Sequence, residues 1–113
     1  MILIVDSDEG MRELLRDLMT EGFPNQELVL ASDPDGVALE ETPELIITGL
    51  IFKGSSCNGI EFIMRIRADH PQTKIILLTG SLQIPHNQAH ALITKPFDSE
   101  LLLRTVETLL SGN

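Results

Sequence analysis

The chain has 113 residues, 42% of them hydrophobic and 22% charged, enough apolar material for one compact core and the wrong balance for a disordered chain. Its formal net charge of −9 repels a phosphate backbone, and the eight basic residues form no run, which argues against direct nucleic-acid binding. No apolar run approaches the roughly 18 residues that cross a bilayer, and the opening MILIV lacks the basic start and length of a signal peptide, so a cytoplasmic protein without membrane attachment is expected.

Residues 2–5 (ILIV) form an apolar run of strand length, and four more follow at 28–31, 45–48, 75–79 and 91–94. The runs are continuous rather than alternating, as strands buried on both faces require, and this predicts a parallel sheet covered by helices. Between the first two, Met11, Leu14, Leu15, Leu18 and Met19 recur at helical spacing and predict a helix over about 9–21, with Gly22 as a left-handed stop. Asp33 followed by Pro34 reads as a cap and first-turn proline of a short second helix through Val37 and Leu39 that must end before Pro43. After the third run, Asn58 and Glu61 have the spacing of a capping box, opening a third helix with a buried stripe of Ile60, Ile63, Met64 and Ile66 or Arg67. Residues 80–90 contain Pro85 and leave room for one or two turns of a fourth helix. Asp98 caps a last helix that turns Leu102, Val106, Leu109 and Leu110 inward and stops at Gly112. Strand and helix alternate throughout, which calls for right-handed crossovers and an open, doubly wound α/β sheet.

In such a sheet a site forms beyond the carboxyl ends of the strands, and those ends carry Asp6, Gly49, Thr79 and Lys95. Ser7 and Asp8 follow Asp6. The segments ILIVD with Arg12 after it, PELIIT, NGIEFI, LLTG and ITKPF, in this order along nearly the whole chain, resemble the receiver domain of two-component response regulators. The resemblance implies a flavodoxin-like, five-stranded parallel sheet in the order 2-1-3-4-5, a single receiver-like domain over 1–113 and a place in phosphorelay signal transduction. It makes Asp6 and the residue after it an acidic Mg²⁺-holding pair, position 49 the phosphoacceptor, Thr79 the hydroxyl that binds a phosphoryl oxygen and Lys95 the lysine that pairs with the phosphoryl group. It also implies a cis peptide bond before Pro96 and an aromatic switch residue at the position of Leu92, and against the family's pattern the fourth helix, within residues 80–90, is expected to be shortened by about half.

The chain departs from that pattern at three of these positions. Gly49 has no side chain to esterify, so no phosphoacceptor is expected there; Ser7 replaces the second acid; and Leu92 replaces the rotating ring. With those carboxylates missing, no metal site is assigned and Mg²⁺ binding is expected to be weak or absent. Asp8 is expected to cap the first helix, and Lys95 to pair with Asp6; the alternative for Lys95 is to bind a small anion together with Thr79 and the backbone N–H groups near Gly49. The loop 53–59 is about two residues longer than the family's turn, a modest change for a connection of this kind.

The expected function is a non-enzymatic, atypical receiver that acts by protein–protein interaction, with a histidine kinase or an output protein as partner. A phosphorelay receiver using Asp6 or Asp8 as acceptor and a small-anion-binding regulatory domain are the alternatives. Leu82 and Ile84, left with little helix to cover them, are expected either to form an exposed partner or homodimer contact or to fold back onto the sheet. No nucleophile and base stand at catalytic spacing; His70, His86 and His90 read as solvated loop residues, and Cys57, which cannot form an internal disulfide, as an exposed inert thiol.

Overall fold

A computed structural model describes residues 1–81 and 83–112. The apolar runs form β1 (Ile2–Val5), β2 (Leu28–Ala31), β3 (Leu45–Thr48), β4 (Lys74–Thr79) and β5 (Ala91–Thr94), and the amphipathic segments form α1 (Glu9–Gly22), α2 (Gly59–Asp69) and α3 (Ser99–Leu110). All neighbouring strands are parallel, in the expected order β2-β1-β3-β4-β5. The three inner strands β1, β3 and β4 are buried almost throughout, which is why their sequences are unbroken apolar runs.

The pleat sorts these side chains into two cores. On one face Ile2, Ile4, Leu45, Ile47, Ile76 and Leu78 meet Leu15 and Met19 of α1 and Leu102 and Val106 of α3. On the other, Leu3, Val5, Ile46, Ile75 and Leu77 meet Phe62, Ile63 and Ile66 of α2. Asp8 caps α1, Asp98 caps α3, and the Asn58–Glu61 capping box closes in both directions at 2.9 and 3.1 Å.

Some expectations about helix faces need correction. Met64 is 54% exposed and Phe62 takes the buried place assigned to it. Leu14 likewise sits at the margin of its helix rather than in the core. Gly22 is the last residue of α1 and is not left-handed; positive φ occurs, among the described residues, at Gly54 and Gly112. What Gly22 supplies is room, because a Cβ there would come within 2.9 Å of Leu103 Cδ2 on α3. Cys57 is half-buried against the α2-side core, and burial pushes its thiol pKa above the usual value.

Two connections on the α2 side carry less helix than predicted. The second helix does not form: a single 3₁₀ turn, Pro34–Gly36, is capped by Asp33, and the chain leaves it extended at Val37 and continues without helix, bending at Glu40 and Glu41. This connection must pass over β1 to reach β3, and extended chain covers more than twice the distance per residue that helix does. Val37 and Leu39 still pack on the core, at the two-residue spacing of extended chain. The turn is tied to the β3–α2 loop by Asp35, which accepts from the backbone N–H and hydroxyl of Ser56; these bonds hold its carboxyl below the ordinary range.

The fourth helix is shortened to nothing among the described residues of 80–90. Local side-chain turns hold the segment instead, Gln83 N–H donating to Ser81 Oγ and Ala89 N–H to Asn87 Oδ1. Ile84 folds back against the core, whereas Leu82 lies outside the described residues.

His90 closes this segment and is not simply a solvated loop residue. Its backbone N–H donates to Ile75 O at 2.8 Å, and its ring Nδ1 accepts from Ile75 N–H at 3.0 Å, so one residue clasps β4 twice. Burial, then Arg67, then Lys74 hold its pKa below the ordinary 6.5, and a proton on Nδ1 would oppose the Ile75 donor. A lowered pKa means the unfolded chain takes up the proton first. Stability is therefore full above 6.5 and declines as pH falls from there through the folded-state value. Urea unfolding followed over this range is expected to show that decline in the parent chain and a flatter profile in His90→Gln.

Candidate functional site

The carboxyl ends of β1, β3, β4 and β5 open on one cleft of about 390 Å³, lined by Asp6, Ser7, Gly49, Thr79 and Lys95 with Leu50, Ile51 and Ser81 among their neighbours. The predicted pocket residues are thus brought together, with one exception. Asp8 turns away, its Oδ2 accepting from Met11 N–H at 3.0 Å as the cap of α1. Leu92 lies on β5 opposite Leu77, 48% exposed, and does not line the cleft.

Asp6 is the centre of the arrangement. It is 3% exposed, and both its oxygens are engaged: Oδ2 accepts from Lys95 Nζ at 3.0 Å and Oδ1 from Asp8 N–H at 2.9 Å. Arg12, one turn into α1, donates to the Asp6 carbonyl at 2.6 Å and fixes the backbone that aims the carboxylate. Lys95 is carried by the end of β5, where its N–H donates to Thr79 O at 2.9 Å, and the following Lys95–Pro96 bond is cis. Thr79 is buried, and its hydroxyl accepts from Ser81 N–H at 3.1 Å.

Gly49 continues the β1–β3 pairing, its N–H donating to Val5 O at 2.9 Å, and its carbonyl accepts from the Thr48 hydroxyl at 3.0 Å. Its backbone is not left-handed, and there is space for a side chain. A Cβ at 49 would stand 3.5 Å from Phe52 Cζ and 3.6 Å from Asp6 Oδ2, both ordinary contacts. Gly59 is different: a Cβ there would overlap Gly49 O and come within 2.8 Å of Leu50 Cα. The start of α2 is seated on the 49–50 backbone, with Gly59 N–H donating to Leu50 O at 2.7 Å.

Phe52, Arg12 and Ser81 are parts of this site whose roles the sequence did not disclose. Phe52 had a signal, as the one aromatic residue in a loop that contains Gly49, Gly54, Ser55 and Ser56. The contacts of Arg12 and Ser81 depend on how helix and loop return to the strand ends, which no local pattern encodes.

The response regulator receiver domain model matches residues 2–107. The chain belongs to the response regulator receiver family. It is 28% identical to protein PilH of Pseudomonas aeruginosa, the match covering 98% of each chain. It is also 29% identical to the nitrogen assimilation regulatory protein NtrX of Azorhizobium caulinodans over 96% of its own length. There it spans 26% of the relative, and it spans about half of two other curated relatives. The crystal structure of the receiver domain of NtrX from Brucella abortus shares the fold, with a TM-score of 0.88, 23% identity and full coverage of both chains.

The family implies Mg²⁺, and the donor set at this receiver's strand ends does not fit it. Asp6 offers one carboxylate with both oxygens already occupied, Asp8 is spent on the helix cap, and Gly49 offers a carbonyl bonded to Thr48. Among the described residues no group of three or more His, Cys, Asp or Glu side chains could hold a metal.

The Asp6–Lys95 pair is unequal, because the Lys95 side chain is 28% exposed and that of Asp6 only 5%. Lys95→Met is expected to cost about 3 kcal/mol, since it strands a buried carboxylate. Asp6→Asn keeps an acceptor for Asp8 N–H and lets Lys95 turn to water, so it should cost closer to ~1 kcal/mol. Urea unfolding of both variants checks the order.

Proposed function

We propose that this receiver has lost phosphoryl acceptance at Gly49 and works as a signalling module through protein–protein interaction, with a histidine kinase or an output protein as the class of partner. The observation that carries the reading is the Lys95 ammonium resting on Asp6 at 3.0 Å beside a residue without a side chain. In receivers that accept a phosphoryl group, the lysine answers the charge acquired at position 49. Here Lys95 already has its counter-charge, so the cleft is electrostatically satisfied without any ligand. The alternative acceptors fit poorly: an in-line attack needs a free, aligned carboxylate oxygen, and those of Asp6 are both bonded while Asp8 caps a helix.

Nor is the chemistry of an enzyme supported, since among the described residues the side-chain hydrogen bonds of Thr79 and Lys95 run to Ser81 N–H and to Asp6 and join no nucleophile to a base. The exposed Leu92 supports the same reading, because a leucine cannot carry the ring rotation that the family uses to report phosphorylation.

The test is a titration of ¹⁵N-labelled chain with Mg²⁺ and beryllofluoride. No saturable shift is expected at Asp6, Gly49, Thr79 or Lys95. Gly49→Asp, for which there is room, serves as the comparison and is expected to regain part of the response. A saturable response of the parent chain at these residues would overturn the reading.

A further inference from the structure

β2 is the edge strand on the side of the sheet away from β5. Ile2 N–H donates to Glu27 O and Asp6 N–H to Ala31 O, so Glu27, Val29 and Ala31 turn their backbone groups toward β1. Backbone direction alternates along a strand, and the N–H and C=O of Leu28 and Leu30 therefore point out of the sheet. Among the described residues no turn or loop backbone bonds to them. A lysine, a proline or a bulge commonly blunts such an edge. The sequence of β2 is Leu-Val-Leu-Ala in unbroken register with β1, and Val29 and Leu30, on opposite faces of the strand, are each 38% exposed.

The charge of the chain is concentrated beside this edge. Residues 17–52, from the second half of α1 through β2 and β3, hold eight of the 17 acids and no Lys, Arg or His. The rest of the chain carries nine acids beside all eight basic residues, a net of −1. Glu21 and Glu27 precede β2, and Asp33 and Asp35 follow it, so both ends of the open edge are acidic while its centre is apolar.

We propose that the open edge of β2 takes up an extended segment of a partner protein as a sixth strand, with apolar residues at the centre of that segment and Lys or Arg at its ends. Backbone pairing to Leu28 and Leu30 would hold the segment, its apolar side chains would cover Val29 and Leu30, and its basic ends would meet the flanking acids. Charge complementarity selects this occupant. A second copy of the chain would set the same acids against each other across the junction, and a polynucleotide meets the same repulsion. The inference rests on the docking reading above but not on the chemistry at residue 49. The two experiments are read at different residues, so either can fail alone.

The test titrates ¹⁵N-labelled chain with the peptide Lys-Lys-Val-Thr-Val-Thr-Lys-Lys. Saturable shifts are expected at Glu27, Leu28, Val29, Leu30 and Ser32, weakening with added salt, together with slowed amide hydrogen exchange at Leu28 and Leu30. The counterpart with Glu in place of Lys should produce neither. A peptide with proline in place of both threonines keeps the charge but loses N–H donors, and it should bind at least about tenfold more weakly. The exposed charge reversal Glu21→Lys combined with Glu27→Lys should weaken binding of the first peptide by at least about tenfold. The milder Glu27→Gln should give a smaller loss, and unchanged Asp6 and Lys95 amide shifts verify that both variants fold. The proposal is overturned if the first peptide gives no saturable shifts at β2, if the acidic peptide binds equally, or if charge reversal leaves the affinity unchanged. It is also overturned if the proline peptide binds as tightly, which would leave charge attraction without strand pairing, or if the β2 residues shift on dilution of the chain alone, which would make a second copy the occupant.

Discussion

A carboxylate taken out of water must be neutralised or hydrogen-bonded, and at the end of β1 Asp6 meets both demands within the chain itself. Lys95 supplies the charge from β5, Asp8 N–H the second bond, and Arg12 the backbone restraint. The pair joins the first and last strands of the fold across 89 residues of sequence. It therefore does two things at once: it ties the strand ends together, and it uses the cation that would otherwise await an incoming anion. The proposed loss of phosphoryl chemistry follows from this as much as from Gly49, because a side chain at 49 would have room but would have to compete with Asp6 for the same ammonium.

The two faces of the sheet have different fates. On one side α1 and α3 cover the sheet and pack closely enough for Gly22 to matter. On the other, α2 alone covers the centre, with extended chain over the β2 side and an irregular segment near β5. Thinner cover has a direct result at Leu92, which stays exposed, and it hands the fixing of the 80–90 segment to His90 and its clasp on Ile75. Remodelling on this face and the altered strand-end residues are thus separate features of the same chain. The first alters the surface beside β5, and the second alters the donor set at the strand ends.

Much of this was legible in the sequence. Continuous apolar runs announced buried parallel strands, and caps such as Asp8, Asn58 with Glu61, and Asp98 marked the helix starts through local hydrogen-bonding chemistry. The strand-end residues Asp6, Gly49, Thr79 and Lys95 could be placed in one cleft because parallel topology aligns the carboxyl ends. What sequence spacing misjudged were features decided by tertiary geometry. Val37 and Leu39 satisfy the core equally well from extended chain, Phe62 outcompetes Met64 for burial, and Gly22 answers to Leu103 on a distant helix. His90 looked like a loop residue because its partner, the N–H of Ile75, belongs to a neighbouring strand.

Intact-protein mass spectrometry after exposure to acetyl phosphate and Mg²⁺ tests the central claim most directly. The account predicts an unchanged mass, with no phosphoryl group retained anywhere on the chain. A base-labile phosphoryl adduct mapped to Asp6 or Asp8 would contradict it, since it would show that a carboxylate engaged by Lys95 or by the helix cap is free enough to react.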